Sequence, residues 1–475
     1  MGGSPEPGVK KPRLLPVLFP PQTPPRFLLI FFSAPVLLIA SAISGVAFSL
    51  NSPAFWIGGM LLWILWFLVM FMVITPATDL KLLGQRRWLL PCAKTIFTVI
   101  LITAIIEALF MGLFSYWYVQ SGANNNLTRV LTELQEAFRY NDGTALNQQA
   151  SENLLAGKNP YAYSNVVTTF LQHNGSVDRL TPLKVGRFAD VFPYPTNQQL
   201  QQLWDTSVKD TSRPPPELES QVCYPAGSFL LTAPFIAIGI TDIRLIYFIY
   251  VFGGIVATFF LLPQKRRFIF AALCLISLEI WNILAVGESG TIIFPFILLA
   301  WILAGRHNLA SAILMGIAVA TRQTAWFFLP FYIIMLWQTS GVKWAGSVIG
   351  IIAGVFLLFN GYFIAADARL WVESITSPMT SEMFPLGVGL VSLVTSGLVK
   401  IQSSLPFSIL ELAAFTGAIL WFARYGKKYP DAGPVLSVLP LFFAWRSLWM
   451  YFFYITVITC ASMCMRQGNE DWAVD

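Results

Sequence analysis

The sequence predicts an all-α polytopic membrane protein, and three observations predict it. Apolar residues make up 56% of the 475-residue chain and charged residues only 11%, against about 25% charged in soluble domains. Mean hydropathy is +0.64. Runs of roughly 20 apolar residues recur, each long enough to cross about 30 Å of hydrocarbon. Such continuous runs suit helices and not a barrel, whose strands alternate apolar and polar residues.

In chain order, residues 1–26 read as a disordered cytoplasmic tail, rich in proline and carrying Lys10, Lys11, Arg13 and Arg26. No short apolar core with a small-residue cleavage site opens the chain. The first three transmembrane helices are expected within 27–118, at about 27–49, 55–75 and 95–118. A polar loop subdomain at 119–227 follows. The transmembrane region 228–465 has short loops. Its spans are expected near 244–262, 268–285, 290–305, 308–322, 325–338, 345–364, 406–424, 432–445 and 448–465, for about twelve in all. The apolar pieces 228–241 and 385–400 read as surface-lying or re-entrant helices. Residues 466–475 form a second cytoplasmic tail.

Charge tests this layout through the positive-inside rule. With a cytoplasmic N-terminus, Lys81, Arg86, Arg87 and Lys94 fall inside, as do Lys265, Arg266, Arg267, Arg306, Lys343, Arg424, Lys427, Lys428 and Arg466. The loops 119–227 and 365–405 then fall outside. Arg244, Arg322, Arg369 and Arg446 remain on that outer side, where topology does not require cations. Arg322 and Arg446 are flanked directly by apolar sequence, which calls for an anionic or polar partner; snorkelling or pairing with Asp367 or Glu373 is the plainer use of each.

The net charge of +6 is scattered near span ends and excludes nothing as simply as nucleic-acid binding. Of five cysteines only Cys223 lies in the long loop, which therefore has no internal disulfide pair. Two histidines, His173 and His307, do not suggest a zinc site. No metal or cofactor is indicated. Asn126 and Asn174 match the short N-glycosylation acceptor pattern.

Within the loop, residues 129–157 carry apolar positions at helical spacing, with breaks at 141–143 and 157–160. The run 211–219, TSRPPPELE, reads as an extended connector. Asp142 stands near the first break, where Asn-Asp-Gly-Thr is also good turn and cap chemistry. A Gly157-Lys158-Asn159-Pro160-Tyr161 turn follows it, and Tyr224-Pro225-Ala226-Gly227 returns the chain to apolar sequence. An acid held in a folded loop at a bilayer surface suits chemistry on a lipid-linked substrate.

These motifs resemble integral-membrane glycosyltransferases of the GT-C class, in particular bacterial polyprenyl-phosphomannose-dependent mannosyltransferases of the glycosyltransferase 87 kind. That pattern has an Asp in the first large outer loop, then a Gly-x-x-Pro-Tyr turn, a Tyr-Pro element and a Gly-polar pair, here Gly287-Glu288. A helix pair running from Gly316 to Pro330 carries Arg322 where the pattern expects a cation. The likeness covers roughly 95–400. This chain departs from it at Ala145 and Leu146, where an aromatic residue is usual, and its first two spans look additional.

The resemblance implies a GT-C-like bundle in the plasma membrane of a bacterium. It implies transfer of mannose or a similar sugar, with inversion, from a polyprenyl-phosphate donor to an extracytoplasmic lipid or glycan acceptor. Such transfer needs a carboxylate to take the acceptor proton and a cation to receive charge on the departing phosphate. Asp142 is the expected catalytic base and Glu288 the second carboxylate. Arg322 and Arg446 are expected at the donor phosphate, gripping it by forked hydrogen bonds, and Tyr161 and Tyr224 at the pocket edge. A transporter or flippase of lipid-linked or small substrates is the alternative, kept open by Glu279 inside an expected span.

Overall fold

The computed structural model describes residues 24, 26–50, 52–78 and 139–470. The span expected at 95–118, the four cations of 81–94, the first part of the expected loop, 119–138 with Asn126, nearly all of the first tail and residues 471–475 of the second lie outside these residues, while 466–470 of the expected second tail continue a helix. Helices are numbered below among the described residues.

α1 (Arg26–Leu50) and α2 (Pro53–Ile74) form an antiparallel hairpin. Pro53 opens α2 at its first turn, where its missing N–H costs nothing. Trp63 of α2 donates its indole N–H to Ser44 Oγ of α1 at 3.3 Å. Gly59 allows this approach, since a Cβ there would stand 2.8 Å from the same oxygen.

The polar region contains α3 (Asp142–Leu155), α4 (Val166–His173) and α5 (Asn197–Ser207). Asn141 caps α3 by accepting from the Thr144 N–H at 2.8 Å, so the cap belongs to Asn141 and Asp142 is the first helical residue. Gly157, at φ +71°, follows the end of α3. Residues 211–219 hold no helix. The piece 228–241 is two short helices, α6 (Gly227–Leu230) and α7 (Ala233–Ala237), and both pack against α3.

α8 (Ile243–Leu261) is capped by Asp242. The span expected at 268–285 is instead a bent pair, α9 (Arg267–Ile276) and α10 (Leu278–Val286), meeting at 51°. Freed carbonyls at the break are satisfied from within. Ser277 Oγ donates to Leu273 O at 2.8 Å and Trp281 Nε1 to Cys274 O at 3.0 Å. A 3₁₀ turn at Ser289–Ile293 then leads into α11 (Phe294–Leu303). There follow α12 (Asn308–Thr321), α13 (Thr324–Ser340), α14 (Val342–Ala366) and α15 (Ala368–Thr380).

The piece 385–400 contributes only β1 (Leu386–Gly387) and α16 (Ser392–Thr395). After α17 (Leu405–Tyr425), the span expected at 432–445 divides into 3₁₀ turns around α18 (Gly433–Val438), with Pro430, Pro434 and Pro440 punctuating it. β2 (Arg446–Ser447) pairs in parallel with β1, and α19 (Ile455–Glu470) closes the described chain.

Five helices, α1, α2, α8, α14 and α17, are long and apolar enough to cross a membrane, and six cross if the bent pair counts as one. Among the described residues the remaining expected spans are shorter helices, so about twelve is not reached there. This is a helical membrane protein.

Side-chain contacts tie the helix ends into two sets. Arg26 reaches Val73 O at 3.3 Å, Arg266 lies over Phe27, Arg306 meets Met465, and Arg466 pairs with Asp431 at 3.0 Å. At the other end, Thr144 Oγ1 donates to Gly287 O, and Asn360 links Ala226 N to Ala320 O. Phe48 there packs on Tyr194. Arg266, Arg306 and Arg466, assigned inside by charge, thus share one end with Arg26, and the polar region covers the opposite one.

Candidate functional site

A cavity of about 1790 Å³ opens beneath the polar region. Asp142, Tyr224, Glu288, Arg322 and Arg446 all line it, although they come from five separate parts of the chain.

Asp142 sits at the start of α3. Its Oδ1 accepts from the Gly143 N–H and its Oδ2 from the Thr181 N–H, each at 2.7 Å. These bonds fix the carboxylate plane and leave lone pairs for the cavity. Asp142 is half-buried, since it faces that cavity while protein encloses it further out. Burial raises its pKa above the ordinary carboxylate value, and the bonds from Thr181 and Gly143, with Arg446 at longer range, oppose the rise.

Glu288 follows the left-handed Gly287 that ends α10. It is 5% exposed and also titrates high. Burial is the main cause, Arg179 and Arg322 oppose it, and the charge of Asp142 adds to it.

Arg322 occupies the extended link between α12 and α13 and is buried. Its Nη1 donates to Ser289 Oγ at 2.5 Å, and its Nη2 lies 3.4 Å from Tyr224 Oη and 3.5 Å from Met450 Sδ. The guanidinium carbon is 4.1 Å from the centre of the Tyr224 ring. Among the described residues no carboxylate comes within ion-pair distance of Arg322. Its partners are hydroxyls, a thioether and a ring. Gly143 and Gly290 border this cluster. A Cβ on Gly143 would stand 2.9 Å from Tyr224 Oη, and one on Gly290 would stand 3.4 Å from Arg322 Nε.

Arg446 is held by β2. The Val388 N–H donates to Ser447 O at 2.8 Å. Arg446 Nη1 is buried and has no hydrogen-bond partner among the described residues. Its charge acts on Asp142, Tyr194 and Glu219.

Tyr161 differs from its expected position at the pocket edge. It is 2% exposed, packs on Phe229 and Phe363, and donates its hydroxyl to Tyr224 O at 3.0 Å. The Pro160 turn that carries it buries the ring behind Tyr224, so Tyr161 supports the wall without lining it. Arg244 and Arg369 take the plainer course, pairing with Asp242 at 2.6 Å and Glu373 at 2.7 Å.

Arg179, Glu219 and Tyr451 carry no mark in the sequence, and together with Ser289 they also line the cavity. Glu219 accepts from Ser377 Oγ at 2.9 Å and from the Gln221 N–H, and burial raises its pKa. Ser289 had one signal, its place beside Glu288. Among the described residues no group of three or more His, Cys, Asp or Glu side chains is arranged to hold a metal ion.

The site can therefore offer a fixed carboxylate and two guanidiniums that lack a carboxylate partner at contact distance, on the walls of one space. Compared with family models, curated proteins and solved structures, the chain matches none.

Proposed function

We propose that this protein is a GT-C-like inverting glycosyltransferase of the bacterial plasma membrane. In this reading it moves mannose or a similar sugar from a polyprenyl-phosphate donor to an extracytoplasmic lipid or glycan acceptor. The observation that carries the reading is that Asp142, Arg322 and Arg446 share one cavity at the end of a membrane bundle. The acceptor hydroxyl gives its proton to Asp142 as its oxygen bonds to the anomeric carbon. The bond from that carbon to the phosphate oxygen breaks on the opposite face, and its electron pair leaves with the phosphate. Arg322 and Arg446 receive that charge by forked hydrogen bonds. Glu288 stands beside them as the second carboxylate.

Transfer from polyprenyl-phosphate mannose on purified protein in lipid tests it. Asp142→Asn keeps shape and loses basicity, so turnover falls about 100-fold or more. Arg322→Gln weakens donor binding by about 2–5 kcal/mol, and Arg322→Lys by less. Near-normal transfer by the Asn variant would return Asp142 to a helix-start residue.

A second reading, a transporter of lipid-linked or small substrates, draws on the broken pair α9–α10 and on Glu279, which is buried just past the break. Movement of labelled lipid between leaflets without a new glycosidic bond would favour it.

A further inference from the structure

We propose that the cavity face of α17, centred on Glu411 with Ser404 and Ser408, is a second, polyol-binding subsite that seats a sugar residue of the acceptor. It rests on reading the cavity as a carbohydrate site, and is independent of which acid performs the chemistry.

α17 is one of the five helices able to cross a membrane, and along it only Phe407, Ala418 and Phe422 are buried. Leu405, Ile409 and Leu420 are exposed, as lipid-facing residues are. The cavity is lined by Ser404, Ser408, Glu411 and Phe415, spaced four, three and four residues apart as in a single helical stripe, with Leu412 at its side; Ser408 Oγ donates to Ser404 O at 3.3 Å and keeps its lone pairs for a ligand. A carboxylate within a span is costly without a partner. Yet Glu411 has no hydrogen bond or ion pair among the described residues. A helix turned toward packed protein would present apolar or small groups here. This one presents an acid and hydroxyls to an open space.

The chemistry of the stripe selects the ligand. A carboxylate accepts two hydroxyl donors at once, and serine hydroxyls donate and accept. Phe415 supplies an apolar face of the kind a sugar ring rests on. An ammonium would also satisfy Glu411, but it has no use for the serines.

Calorimetric titration of the full chain in lipid nanodiscs tests this, with octyl mannopyranoside below its micellar concentration and octylamine as probes. Wild type binds the glycoside. Glu411→Gln weakens that binding about tenfold or more, Glu411→Asp weakens it less, and octylamine shows no dependence on residue 411. Thermal unfolding of each variant checks that it is folded. The titration reads binding and not transfer, so failure of the transfer reading leaves this result in place. Unchanged glycoside affinity in folded Glu411→Gln, or octylamine binding that requires Glu411, overturns the proposal.

Discussion

At the scale of single residues, three of the acids that line the cavity are linked electrostatically. Burial drives Asp142, Glu219 and Glu288 upward, and the charge of Asp142 raises the other two further. A base must be ionised to act. Transfer should therefore climb with pH through an apparent midpoint above the usual Asp value of about 3.9, then level off. That midpoint belongs to the coupled acids together, and a rate profile of wild type against Asp142→Asn checks it, since the residual activity of the variant should lose the limb. Stability runs the other way. Between the unfolded and folded pKa values the unfolded chain binds fewer protons, so stability falls as pH rises through that window and is flat above it. Activity here is gained where stability is spent.

At the scale of elements, the two-residue pairing of β1 with β2 sets where Arg446 points. Gly387 is at φ +142°, and a Cβ on it would overlap the Ser447 carbonyl. Gly387→Ala should displace β2, cost about 1–3 kcal/mol, and reduce donor affinity; thermal unfolding and donor titration on one preparation measure both. This element was not legible in the sequence, because two residues have no period to read. The α9–α10 break was equally hidden, since Leu-Ile-Ser-Leu-Glu contains no glycine or proline. The limits of α3 were legible, because Asn141 and Gly157 act through local cap and turn chemistry. Asp142, Arg322 and Arg446 stood out because charge is scarce in this chain. Arg179, Glu219 and Tyr451 did not, because only tertiary packing brings them to the cavity. Tyr161 was misplaced for the same reason, since a turn motif does not say which way its ring faces.

At the scale of the whole molecule, Arg266, Arg306 and Arg466 lie at one end of the bundle and the cavity lies at the other. Single cysteines at Lys158 and Lys427, both exposed and at opposite ends, should react with an impermeant thiol reagent from opposite sides of intact cells. Reaction of both from one side would refute the orientation inferred from charge. The cavity wall also draws on Ser44 and Trp56 of the first hairpin and on Arg446 and Tyr451 near the last helix. Everything from the first hairpin through Tyr451 must therefore be synthesised before the space can close. A ribosome that stops before Arg446 would leave Asp142 and Arg322 in place on an unfinished wall. Membrane insertion and acquisition of a closed site are thus separate events in the life of this chain, and the second waits for the segment that carries Arg446 and Tyr451.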